Sequence, residues 1–209
     1  MIKRLLIVFT MLPLLLFAQN KDRVWCFGDS ALIDFNSGMP VAGKRGVTTR
    51  GSCASMCDST GALLFYSATG EFPIYINAGN GKVYNANHVL MNNGDSINGT
   101  LAYNENTILP FPDQLNKYIL FTVDPNDKNG FYYSIIDMSL QNGLGEVISK
   151  NDTLIANQRM VDAMAAVKHG NGRDWWIICK PNYTFTPTDT FYIFLFDNFY
   201  NIKSNNLET

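Results

Sequence analysis

Cys53-Ala-Ser-Met-Cys-Asp-Ser-Thr-Gly-Ala-Leu-Leu-Phe-Tyr66 is two apolar runs around a tight polar turn. The run Asp58-Ser-Thr-Gly61 has Asp first and Gly last, as a type I turn prefers. The same design returns twice, in Asn106–Phe121 around Phe111–Asn116 and in Ala163–Ile178 around His169–Arg173. Phe65, Leu120 and Ile177 are read as the equivalent core residue of each unit, 55 and 57 residues apart. A hairpin repeating at that period predicts the blades of a β-propeller, in which each small sheet buries its faces against its neighbours.

Working outward, an aromatic strand ending in Asp follows the second hairpin (Phe131–Asp137) and another the third (Phe191–Asp197). Each Asp is placed to cap the next turn through its own backbone. After the first hairpin the counterpart is the short Lys82–Asn85, preceded by an insertion from Glu71 to Gly81. Helix signals are nearly absent. Met160, Ala163 and Met164 recur at helical spacing, but no convincing cap precedes them, and the segment reads as a strand after a loop. Trp25–Phe35 resembles the strands that follow the hairpins, although no hairpin precedes it. The expectation is therefore an all-β, partial propeller of about three four-stranded blades. Its N-terminal strand awaits a missing last blade, and its open edges offer self-association.

Residues 1–18 read as a signal peptide. Lys3 and Arg4 form the positive region, Leu5–Phe17 the apolar core, and Ala18 before Gln19 the cleavage point. The apolar stretch is shorter than the roughly 20 residues a membrane span needs, and no span is expected in the remaining domain, 19–209. Export to the periplasm, cell surface or medium follows. The whole chain carries a formal charge of −2, which becomes −4 without Lys3 and Arg4. Mild acidity with scattered cations offers no footprint for nucleic acid.

Chemistry-bearing motifs are sparse. Cys26, Cys53, Cys57 and Cys179 allow three disulfide pairings or four buried thiols, and His88 and His169 lie too far apart in sequence for a zinc pattern. Gly28-Asp-Ser-Ala-Leu32 imitates an esterase nucleophile block around Ser30, but neither histidine has the expected aspartate three residues before it. Lys168, His169, Arg173 and Asp174 form a charged cluster on a turn, where solvation is the usual role. Asp124–Gly130 is oxygen-rich without EF-hand spacing. Asn98, Asn151 and Asn182 begin glycosylation triplets. Trp175 and Trp176 must point to opposite faces of their strand. No residue is assigned a catalytic, cofactor-binding or metal-binding role.

Five stretches also carry a family resemblance: Trp25–Gly38 (W-x-F-G-x-x-A-x-x-D-F-N-S-G), Gly51–Tyr66 (G-x-C-A-S-x-x-D-S-x-G-x-L-L-F-Y), Asn85–Gly94 (N-x-x-H-x-x-M-x-N-G), Tyr118–Gly145 and Ala165–Ile178. In that order they resemble the N-terminal propeller of large exported proteins of gliding bacteria. Members commonly end in a type IX secretion sorting domain and are labelled gliding-motility-associated. The resemblance implies a non-enzymatic binding or scaffold module with a protein or glycan partner at the cell surface. The family's further blades and sorting domain are absent, so a truncated product is expected. The alternatives are a glycan-cleaving propeller drawing on Asp58, Asp137 and Asp197, or a remnant of a longer surface protein.

Overall fold

The computed structural model describes residues 20–47, 49, 51–70, 81–99, 103–124, 130–182, 190–198 and 202–207, the last by backbone alone. Among them there is no α-helix, only single 3-10 turns at Asn20–Asp22 and Gln141–Gly143. The protein is all-β. Its strands form four antiparallel sheets, none closed on itself, each a simple meander in chain order. The first contains β1 (Val24–Cys26), β2 (Ala31–Asp34) and β3 (Val41–Lys44). The second contains β4 (Cys53–Cys57), β5 (Leu63–Ala68) and β6 (Lys82–Asn85). The third runs β7 (Asn106–Pro110), β8 (Lys117–Asp124), β9 (Gly130–Asp137) and β10 (Glu146–Ile155). The fourth runs β11 (Met160–Lys168), β12 (Trp175–Pro181), β13 (Phe191–Phe196) and β14 (Ile202–Leu207).

Short polar side chains end these strands by hydrogen-bonding their own turns, the Asx geometry that competes with a continuing ladder. Asp34 Oδ1 accepts from the Asn36 N–H at 2.7 Å, Asp58 Oδ1 from Thr60 at 2.8 Å, Asn85 Oδ1 from Asn87 at 3.0 Å and Asp137 Oδ1 from Ser139 at 2.9 Å. Gly61 closes the β4–β5 turn at φ +95°, and a Cβ there would collide with Asn36 Oδ1.

The sheets stack face to face through three apolar layers. Cys26, Val47, Tyr66, Ala68 and Tyr84 fill the space between the first and second sheets. Met56, Phe65, Val83, Ile108, Tyr118, Leu120 and Ile136 lie between the second and third. Leu109, Ile119, Phe121, Phe131, Met160, Ile177, Phe194 and Phe196 lie between the third and fourth. A sheet covered on both sides has no polar face, which is why β8 reads Tyr-Ile-Leu-Phe-Thr-Val without a period-2 polar alternation. At one edge of the stack the first strands of successive sheets follow one another, β1 beside β4, β4 beside β7 and β7 beside β11.

Several expectations change. Trp25–Phe35 is not one strand awaiting a distant blade. Asp29 and Ser30 adopt φ +54° and +64° and turn the chain back, so β1 and β2 pair with each other and β3 completes a separate sheet. Four sheets replace the expected three, and the first two show three strands each among the described residues. Phe65, Leu120 and Ile177 are all fully buried on the second strand after their turns, but they do not face alike. Phe65 faces forward onto the Tyr118 ring, centroids 5.3 Å apart, whereas Leu120 faces back into that same layer and Ile177 back into the next. Alternation explains the difference, since one residue of offset along a strand reverses the side chain. The segment carrying Met160, Ala163 and Met164 is strand, as read, within β11. Residues 1–19, with Ala18 and Gln19, lie outside the described residues, as do 71–80 and 125–129.

Candidate ligand-binding end

The β4–β5, β7–β8 and β11–β12 turns gather at one end of the stack with the Asn20–Asp22 turn. Asn20 Nδ2 donates to Ser59 O at 3.0 Å, and Arg173 Nε lies 3.6 Å from Asp113 Oδ2, which also accepts from Asn198 at 3.4 Å. Two clefts open among these turns. The larger, about 460 Å³, is lined by Lys21, Asp58, Asp113, Gln114, Lys117 and Tyr118 among others. The smaller, about 240 Å³, shares Lys21 and Pro110 and reaches Asp22, Ser55, Ile108 and Trp175.

The carboxylates here are mostly engaged in the turns themselves. Asp58 Oδ1 accepts from the Thr60 N–H, the Thr60 hydroxyl and the Ala62 N–H. Burial pushes this carboxyl up, and those hydrogen bonds outweigh it and hold it below the usual range. Asp174, 4% exposed, takes two bonds from Arg173 at 2.7 and 3.1 Å and one from Asn171 at 2.7 Å. The Arg173 guanidinium lowers its pKa. The charged cluster read on this turn is thus largely a lock on the hairpin, and Asp174 is buried rather than merely solvated. Asp137 likewise accepts from the Ser139 N–H and hydroxyl.

Two donors remain unmatched. Lys21 makes no hydrogen bond or ion pair among the described residues, and burial lowers its pKa. The Trp175 indole Nε1–H is buried without an acceptor among the described residues. Lys168 stacks its ammonium over the Trp175 ring at 4.0 Å, a cation–π contact. Burial and the nearby Lys21 charge both lower the Lys168 pKa. Lys21 and the Trp175 indole thus line the smaller cleft together with Asp22, and Lys168, which donates to Arg173 O at 2.9 Å, adds positive charge over that indole. Trp176, one residue on, points to the opposite face, so a single indole serves the cleft.

The other singled-out residues are scattered. Ser30 sits in a strand–turn–strand, not a strand–turn–helix, and its Oγ donates to Val47 O at 3.4 Å. His88 packs on Tyr66 and His169 on Trp176, with centroids 5.7 and 5.3 Å apart. Asn98 and Asn151 meet each other, the Asn98 N–H donating to Asn151 Oδ1 at 2.8 Å. No cluster of three metal-ligating side chains occurs among the described residues.

All four cysteines are free thiols. Burial pushes Cys179 from 9.0 up to about 12. Cys26 also rises to about 12 through burial, against the pull of Arg45. The unfolded thiols ionise first, so this stabilisation is complete below about pH 9 and is lost as pH climbs toward 12. Urea unfolding from pH 8 to 11 should show a falling midpoint, with a shallower fall in Cys179→Ala. A flat profile would contradict the burial argument.

Arg45 gave no signal in the sequence, standing in Gly43-Lys-Arg-Gly46 like any turn cation. It is 3% exposed between the first two sheets. Its Nη2 donates to Cys53 Sγ at 3.1 Å and its guanidinium lies 4.8 Å from the Tyr66 ring centroid, while Nε and Nη1 have no partner among the described residues. Compared with family models, curated proteins and solved structures, the chain matches none.

Proposed function

We propose that the chain is an exported β-propeller segment whose loop-lined end binds an acidic, oxygen-rich glycan without transforming it. Four meander sheets stacked in chain order, with their first strands adjacent along one edge, support the blade reading. The leader-like residues 1–18 support export. The observation that carries the ligand reading is the cleft lined by Lys21 and Trp175, the indole N–H being unmatched and Lys168 stacked over the same indole. A uronate or sulfated sugar would supply both the counter-charge and the acceptor. Scaffold or adhesion work at the cell surface is the role such a module would perform.

Titration calorimetry with uronic-acid and sulfated oligosaccharides tests this. Binding should weaken with added salt, and Lys21→Ala should weaken it about tenfold, near 1.4 kcal/mol. Neutral sugars binding equally well, or an unchanged affinity in Lys21→Ala, would remove the cleft from the reading. Release of reducing ends from the same oligosaccharides would replace binding with cleavage.

A further inference from the structure

The far face of the fourth sheet repeats the chemistry of a face that is covered elsewhere. On the third sheet, Ile119 and Phe121 of β8 are 1% and 0% exposed because the fourth sheet packs on them. Counting from Leu120 and Ile177, which both face backward, the corresponding residues of β12 are Trp176 and Ile178. Register extends the match to β13, where Leu195 opposite Trp176 corresponds to Ile135 opposite Ile119. Ala165, Ile178 and Ile193 form one cross-strand row, and Val167, Trp176 and Leu195 the next. These six are apolar and none is fully buried, Val167 being 53% exposed, while the register continues the two rows onto β14 with Asn205 and Lys203. An apolar hollow of about 320 Å³ opens beside these strands, lined by Ala165, Ile178 and Phe191 of this face and by Asn104, Met164 and Cys179 on the side toward the third sheet.

The opposite end of the stack presents a matching surface. Cys26 turns toward the second sheet, so alternation turns Trp25 away from it, in a row with Ile33 and Ala42. Trp25 is 46% and Phe27 39% exposed, and Trp25 packs edge-on against Phe27 and Phe35 at 6.1 and 5.1 Å. The stack thus has an uncovered forward face and an uncovered backward face, the two kinds that meet inside it three times.

We infer that the far face of the fourth sheet docks on the first sheet of a second copy, continuing the stack head to tail. This rests on the blade reading above. Two copies closing on each other would bring eight sheets into one ring, four from each, within the four to eight blades of propellers. The contact joins two different faces, so it is heterologous, and each face can be disabled separately.

Light scattering across a concentration series, with circular dichroism to verify folding, tests the contact. The unaltered chain should form a dimer. Ile178→Asp on the fourth sheet and Trp25→Asp on the first should each raise the dimer Kd at least tenfold. Val167→Lys, at a more exposed position, should do the same should Ile178→Asp fail to fold. An equimolar mixture of the two Asp variants should restore a 1:1 complex, because one intact pair of faces remains. A monomeric unaltered chain, a dimer indifferent to Val167→Lys, or a mixture that stays monomeric would overturn the inference. None of these results depends on Lys21, so failure here is separable from failure of the glycan reading.

Discussion

Phe121→Ala is expected to destabilise the fold by about 3–5 kcal/mol, the usual range for deleting a buried aromatic ring. Phe121 is fully buried, with Phe131, Tyr133 and Phe196 around it at centroid distances of 5.7, 6.4 and 5.9 Å. Two sheets contribute that cage, so neither can collapse into the space without losing its register. Denaturant unfolding should show a lower midpoint with an unchanged slope. Leu115→Ala, at a residue 93% exposed, should shift stability by no more than about 0.5 kcal/mol. A loss under about 1 kcal/mol for Phe121→Ala would mean that the third and fourth sheets are not packed as described.

Arg45→Met is expected to have a large effect of the opposite sign, a gain of about 1–4 kcal/mol. A buried guanidinium retains its charge, and here it faces a neutral thiol and an aromatic ring instead of a carboxylate. Burial pushes the Tyr66 hydroxyl up to about 12, so tyrosinate supplies no counter-charge near neutral pH. Methionine keeps most of the side-chain volume and removes the desolvation cost. Thermal and urea unfolding of both forms would decide it. A marked destabilisation would reveal a counter-charge at Arg45, and the Cys53 thiol would be the first group to titrate.

The fold class was legible because β-structure writes itself locally. Glycine, asparagine and aspartate between short aromatic runs predicted the turns at Asp58–Gly61 and His169–Arg173 and the capping by Asp137. The first sheet was missed for a local reason as well. Gly28-Asp-Ser30 carries no strong hairpin dipeptide, and the turn depends on Asp29 and Ser30 accepting positive φ. The candidate site was only half visible. Trp175 and Lys168 were noted in the sequence only as a strand residue and a solvated turn charge, and Lys21 belongs to a segment far from them in the chain.

The hairpin strands of the second, third and fourth sheets and their turn chemistry needed nothing beyond the order of residues, because hydrogen bonds within a hairpin join near neighbours in the chain. Which way a side chain faces did need the tertiary structure. Where both faces of a sheet are apolar, the pattern is the same under a shift of one residue, so Phe65 and Leu120 looked equivalent until their neighbours were placed. The burial of Arg45 and the meeting of Lys21 with Trp175 are likewise products of stacking. They depend on contacts between sheets that no local periodicity encodes.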